Sequence, residues 1–126
     1  PQWTGGGMVF APVPREYTFK MNKKEKRAAL KSALTNKVQE NNLIVVDELK
    51  LDEIKTKNFV NVMNNLKVNK GLVVLADNDA NVVLSAKNVP TVDTTLVNTI
   101  NVYDVMKAKT VVLTKDAVAK IEEVYA

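Results

Sequence analysis

The stretch that decides the fold is Leu43–Ala76, LIVVDELKLDEIKTKNFVNVMNNLKVNKGLVVLA. It begins with the apolar run LIVVD at Leu43–Asp47 and ends with a second run, LVVLA, at Leu72–Ala76. Short runs of this kind are typical of strands that are covered on both faces of a sheet. Between them, Thr56–Leu66 carries large apolar residues at helical spacing. The pattern therefore predicts a strand, a helix and a second strand, the unit from which parallel sheets are built.

The same alternation continues on both sides of this unit. Asn22 is expected to cap a helix that continues to Glu40. Downstream we expect a helix at Asp79–Lys87 and a Thr-rich strand within Val89–Val97. A short helix at Val102–Ala108, a strand at Thr110–Thr114 and a closing helix at Lys115–Tyr125 follow. Strands that alternate with helices predict an α/β fold with a mostly parallel, four-stranded sheet and helices on both of its faces.

The N-terminal residues differ in composition from this alternating region. Three prolines (Pro1, Pro12 and Pro14) and the triplet Gly5–Gly7 break both helical and strand periodicity. We therefore expect two units: an extended basic arm over residues 1–21 and a globular α/β domain over residues 22–126.

Positive charge is concentrated at the same end of the chain. Residues 1–37 hold eight basic and two acidic side chains, a local charge of +6, whereas the remainder holds ten basic and twelve acidic ones, a sum of −2. The basic residues of the first segment are Arg15, Lys20, Lys23, Lys24, Lys26, Arg27, Lys31 and Lys37. A positive end favours a polyanionic partner, while the remainder has the charge balance of an ordinary folded domain.

Composition excludes several classes of function. The chain has no cysteine and no histidine, which removes disulfides, thiolate nucleophiles, Cys/His zinc sites and His-based triads. No run approaches the roughly 20 apolar residues that span a bilayer, so no membrane partner is expected. We expect no enzyme activity, no cofactor and no metal. The lack of cysteine fits a cytoplasmic protein.

Acidic residues that follow the predicted strands supply the main alternative. Asp47 and Glu48 follow the first strand, Asp77 and Asp79 the second, and Asp116 the fourth. Ligands of open α/β sheets bind beyond the carboxyl ends of the strands, where carboxylates could hold Mg²⁺. A small Mg²⁺-dependent phosphotransfer enzyme is therefore the alternative function. Short acidic side chains also cap helices and occupy turns, and the absence of an accompanying nucleophile or base favours that structural role.

The first predicted helix has an apolar face and a basic one. The apolar face is formed by Ala29, Leu30, Ala33 and Leu34. If the helix extends back to Lys20, a sector of about 100° beside that face holds Lys20, Lys23, Lys24, Arg27 and Lys31. Such faces are often simply solvated. A face that neutralises several phosphates would instead release counterions and bind with strong salt dependence.

Trp3 and Gly5–Gly7 precede this basic helix and help to decide whether its basic face is simply solvated or binds phosphates. A tryptophan can stack on an exposed base, although it can equally pack against protein. Glycines let backbone amides approach a phosphate closely, although they also serve as linkers. Beside the basic face, they favour nucleic acid as the partner, and RNA slightly over DNA.

Two longer segments, PQWTGGGMVFAPVPREY and NKKEKRAALKSAL, resemble bacterial large-subunit ribosomal protein four, the universal L-four family. The resemblance continues through LIVVDEL, through KTK at Lys55–Lys57 and through LSAKN at Leu84–Asn88. It extends further through INVYD at Ile100–Asp104 and LTKDAVAKIEE at Leu113–Glu123, and so covers essentially all 126 residues in order.

The resemblance implies a fold and a function. The fold is a three-layer α/β/α sandwich with four parallel strands in the order 1-4-2-3. The function is that of a structural constituent of the large ribosomal subunit, which binds ribosomal RNA, supports early assembly and lines the nascent-chain exit tunnel with a long basic loop. Pro1–Phe10 matches the returning end of that loop, so the family's N-terminal segment and most of the loop are expected to be missing. Neighbouring ribosomal proteins are further partners, and the location is the cytoplasmic ribosome.

The resemblance also implies the residues that bind RNA. Those expected along RNA are Trp3, Gly5, Gly6 and Gly7. Those expected on phosphates are Arg15, Lys20, Lys23, Lys24, Arg27 and Lys31, with Lys55 and Lys57 as secondary candidates. A regulator outside the ribosome that binds leader mRNA is a further alternative function.

Overall fold

The computed structural model describes residues 2–125, so Pro1 and Ala126, which begin the expected arm and end the expected domain, lie outside the described residues. The order of elements is α1 Lys23–Gln39, β1 Leu43–Val46, α2 Thr56–Asn65, β2 Gly71–Leu75, α3 Ala80–Ala86, β3 Val92–Leu96, a 3₁₀ turn Val97–Thr99, α4 Val102–Lys107, β4 Thr110–Thr114 and α5 Lys115–Tyr125. Each helix and strand predicted from the sequence is confirmed, and β4 and α5 have the bounds that were expected.

The four strands form one sheet, in which every neighbouring pair is parallel and the order is β1-β4-β2-β3. This confirms both the parallel sheet and the expected order. All five residues of the central strand β2 are buried, because helices cover both faces of the sheet.

Side chains that alternate along the strands divide the core into two layers. Leu72, Val74 and Val111 pack with α1, α4 and α5 on one face. Val73 and Val112 pack with α2 and α3 on the other face. The three-layer α/β/α sandwich is therefore confirmed.

The first strand differs from its prediction in one respect. The run at Leu43–Asp47 was expected to be covered on both faces, but Val45 is 53% exposed. Because β1 lies at the edge of the sheet, it has a strand neighbour on one side only. Position in the sheet depends on strand order, which a local apolar run does not encode.

The ends of α1 are set by local hydrogen bonds. Asn22 has extended dihedrals, and its backbone N–H donates to Glu25 Oε2 at 3.1 Å. At the other end, Asn41 has a φ of +55°, and the Asn42 N–H donates to the carbonyl of Lys37 at 2.9 Å. This closes the helix by a Schellman motif. The helix begins at Lys23, directly after the expected cap, so Lys20 lies outside it and the condition for including Lys20 in the basic sector is not met.

Residues 2–22 contain no helix or strand, and all of their side chains are exposed. These residues carry large apolar side chains that the described part of the chain leaves uncovered, among them Trp3, Phe10, Tyr17 and Phe19. Among residues 2–125, no helix is both long enough and apolar enough to cross a membrane.

Candidate nucleic-acid interface

The basic face of α1 forms as expected over its first three turns. Lys23, Lys24, Arg27 and Lys31 are all exposed, and none of them forms an ion pair with another residue in 2–125. The same helix buries Leu30 and Ala33 against the sheet, which fixes the direction of the basic face beside them. The helix therefore presents a row of uncompensated positive charge to the surroundings.

The arm, which precedes this helix in the sequence, carries aromatic and cationic groups. Trp3 is 81% exposed. Further along, the guanidinium carbon of Arg15 lies 4.3 Å from the centroid of the Tyr17 ring, a cation–π contact. Arg15 forms no ion pair within residues 2–125, so its N–H groups remain free to donate to a phosphate.

Two glycines of the triplet adopt backbone conformations that other residues rarely take. The φ angles are +106° at Gly5 and +75° at Gly6, and a Cβ atom at either position would meet no atom within 4 Å. Glycine is therefore favoured at these two positions by the positive φ angles of the backbone, because no neighbouring atom would clash with a side chain. Amide groups on such an open loop are accessible to a ligand.

The two secondary candidates lie apart from the others. Lys55 and Lys57 are at the start of α2, which packs on the opposite face of the sheet from α1. The ammonium of Lys55 pairs with Glu53, and its backbone N–H donates to Ser85 Oγ at 3.1 Å. The structure thus places Lys55 and Lys57 in a different layer from the α1 face.

Lys37, one of the eight basic residues of the N-terminal segment, faces inward. Its side chain is 6% exposed, and Nζ donates to the carbonyl oxygen of Ala108 at 2.9 Å. A signal for this was present in the sequence, because Lys37 continues the helical spacing of the buried residues Leu30 and Ala33. Its charge is therefore withdrawn from the surface that α1 presents.

Lys26 was not among the candidates, yet it lies at the junction between the arm and the sandwich. With Met21 and Arg27 it lines a hollow of about 480 Å³, which Leu30 and Tyr125 also line. The Tyr125 hydroxyl donates to the carbonyl oxygen of Val97 at 3.1 Å, which fixes the ring at this place.

The carboxylates at the carboxyl ends of the strands line one hollow, as their positions predicted. Their individual contacts are structural: Asp79 Oδ1 accepts from the Asn81 N–H at 2.9 Å, and Asp77 pairs with Lys120 at 2.5 Å. Glu48 pairs with Lys50, and this hydrogen bond raises the pKa of the lysine. Within residues 2–125, no three acidic residues are grouped so as to hold a metal ion.

Fold and surface together define the class of this chain, an α/β/α sandwich that carries an exposed basic and aromatic arm. The chain belongs to the Ribosomal protein L4/L1 family, whose family model matches residues 1–124.

Individual relatives agree with this assignment along the whole chain. The large ribosomal subunit protein uL4 of Agathobacter rectalis is 70% identical over 126 residues, which are 100% of this chain and 61% of the relative. The protein of the same name from Lachnoclostridium phytofermentans is 64% identical with the same coverage, 100% and 61%. That of Acetivibrio thermocellus is 54% identical over 99% of this chain and 61% of its own length. The chain thus spans 61% of the length of these curated relatives.

Proposed function

We propose that the chain is a structural constituent of the large ribosomal subunit and binds ribosomal RNA. The observation that carries this proposal is the family match over residues 1–124, together with relatives of up to 70% identity that are named as large-subunit proteins. Support of early subunit assembly, implied by the resemblance, belongs to the same proposal, whereas the exit tunnel is lined in this family by the part of the loop that is expected to be missing here. Its partners are ribosomal RNA and neighbouring large-subunit proteins, and its place of action is the ribosome in the cytoplasm.

The residues proposed to bind RNA divide into two groups by chemistry. Trp3 stacks on an unpaired base, and the backbone amides of Gly5, Gly6 and Gly7 approach the sugar–phosphate backbone of the RNA. The cations position the protein by contacting phosphates: Arg15, Lys20, Lys23, Lys24, Arg27 and Lys31, with Lys55 and Lys57 in the second layer. The exposure of the α1 cations and their lack of ion pairs within residues 2–125 support this role.

The role is proposed as non-catalytic. Among the strand-end carboxylates, Asp79 caps a helix and Asp77 and Glu48 form ion pairs, and no three acidic residues within residues 2–125 are grouped so as to hold a metal ion, which argues against an Mg²⁺-dependent phosphotransfer enzyme. Calorimetric titration with Mg²⁺ tests this point, because specific binding that disappeared in the Asp77→Asn/Asp79→Asn variant would restore the enzyme hypothesis.

The basic face of α1 can be tested by charge reversal. We expect the Lys24→Glu/Arg27→Glu/Lys31→Glu variant to bind a large-subunit rRNA transcript at least tenfold more weakly at low salt. Each lost phosphate contact should also reduce the slope of log K against log salt by roughly 0.7–0.9. Filter binding at several salt concentrations measures both quantities.

The matched control reverses three exposed lysines elsewhere, Lys50→Glu/Lys107→Glu/Lys115→Glu, and so changes the net charge by the same amount. If affinity depended only on net charge, the two variants would lose it equally. An unchanged salt slope in the α1 variant would show that this face does not contact RNA.

A further inference from the structure

The parallel sheet separates the loops of the sandwich into two sets of opposite charge. In such a sheet, every helix-to-strand connection lies at the amino edge, and every strand-to-helix connection lies at the carboxyl edge. The amino-edge connections are residues 40–42, 66–70, 87–91 and 108–109, and they hold four lysines and one acidic residue. The carboxyl-edge connections, residues 47–55, 76–79 and 97–101, hold two lysines and six acidic residues. The two edges therefore carry local charges of +3 and −4.

Lys109 lies beside Lys70 although the two are far apart in the sequence, and Lys67 stands three residues before Lys70 in the same connection. The backbone N–H groups of Lys109 and Thr110 both donate to the carbonyl oxygen of Lys70 at 3.1 Å, so Lys70 and Lys109 are neighbours just before the paired strands β2 and β4. Lys67 begins the turn that leads to Lys70, where a φ of +56° closes α2. All three side chains are exposed.

These cations have no carboxylate partner among residues 2–125. The one acidic residue of the same edge, Glu40, accepts hydrogen bonds from the side-chain amides of Asn36 and Asn42, at 3.0 and 3.2 Å. The buried ammonium of Lys37 is held on the carbonyl of Ala108, the residue before Lys109, and so lies beside this edge without facing solvent. Adjacent positive charges of this kind attract a polyanion.

We propose that Lys67, Lys70 and Lys109, the amino-edge patch, form a second surface that binds the phosphate backbone of ribosomal RNA. This inference rests on the proposed function, which makes RNA the polyanion that the chain meets. Lysine ammonium groups bind phosphates as point charges and lack the planar fork that reads base edges, so the patch positions the protein without selecting sequence.

The patch is distinct from the basic face of α1. That face occupies the first half of the helix, whereas Lys37 brings the end of the helix to the amino edge. Arg27, in the middle of that face, lies ten residues before Lys37, about 15 Å along the helix, so the two surfaces meet different phosphates.

The test neutralises the patch in the full chain with the variant Lys67→Gln/Lys70→Gln/Lys109→Gln. The control variant, Lys50→Gln/Lys107→Gln/Lys115→Gln, removes the same charge from exposed lysines outside the patch. With a large-subunit rRNA transcript, the salt slope of the patch variant should fall by about 1–2 and its low-salt affinity by about tenfold. The control should keep the wild-type slope. In hydroxyl-radical footprinting, the patch variant should lose protections different from those lost by the α1 charge-reversal variant.

Two results would overturn the inference while leaving the proposed function intact. One is a patch variant with the wild-type slope and footprint, while the α1 variant still loses binding. The other is an unchanged slope together with lost binding to a polyglutamate peptide, which would assign the patch to an acidic protein segment. Failure of the wild-type chain to bind the transcript would instead contradict the proposed function itself.

Discussion

The buried ammonium of Lys37 shows how a single residue of the basic segment can serve the fold instead of the surface. Its stem packs against the sandwich, and its charge lies in the last turn of α1, where the helix dipole favours a cation. The hydrogen bond to Ala108 joins the end of α1 to the connection between α4 and β4. Its contribution is therefore to stability.

We predict that Lys37→Met keeps the packing of the stem, loses the hydrogen bond and lowers the free energy of unfolding by about 1–2 kcal/mol. Lys37→Ala should cost more, because it also removes buried methylene groups. Urea unfolding followed by circular dichroism measures both losses. Neither variant should alter the salt slope of rRNA binding, and a slope reduced as in the α1 variant would show that Lys37 contacts phosphate after all.

At the scale of elements, the connection from α2 to β2 brings the backbone of Gly71 into close contact with the side chain of Val68. A Cβ atom on Gly71 would lie 2.5 Å from Val68 Cγ1, and Val68 is buried, at 4% exposure. The short valine side chain has little room to move away. Glycine at the first position of β2 is therefore required by packing.

We predict that Gly71→Ala lowers the free energy of unfolding by about 1–3 kcal/mol through overpacking. In a Val68→Ala background, the same change should cost much less, since the clashing methyl group is gone. A double-mutant cycle in urea measures the coupling. Strictly additive losses would show that the methyl group of Val68 is not the obstacle.

Elements are also the scale at which sequence reasoning succeeded best. The runs at β1, β2 and β4 were recognised because β-branched residues cluster between polar connections. The edge exposure of Val45 was missed because the apolar run was interpreted as a covered strand, although the expected strand order placed it at an edge. The amino-edge patch has no local signal in the sequence, because Lys70 and Lys109 become neighbours through the pairing of β2 with β4.

At the scale of the whole molecule, the sandwich holds its core without help from the arm. Both core clusters draw on residues from Leu30 onwards, and the side chains of residues 2–28 are exposed. The division into residues 1–21 and 22–126 is therefore proposed as a division between a binding segment and a folding unit.

We predict that a chain of residues 22–126 unfolds in urea within about 0.5 kcal/mol of the full chain, because the arm leaves the core clusters untouched. Its affinity for an rRNA transcript should nevertheless fall, since Trp3 and Arg15 are lost. Circular dichroism and filter binding measure the two effects. A large loss of stability on removal of the arm would contradict the division.

The position of the only tryptophan has an optical consequence. Trp3 stands on the arm and is 81% exposed, while the sandwich contains no other indole. Its fluorescence therefore reports on what touches the arm and is nearly blind to the packing of the core. Emission and circular dichroism consequently separate two events in one sample, the engagement of the arm with a ligand and the unfolding of the domain behind it.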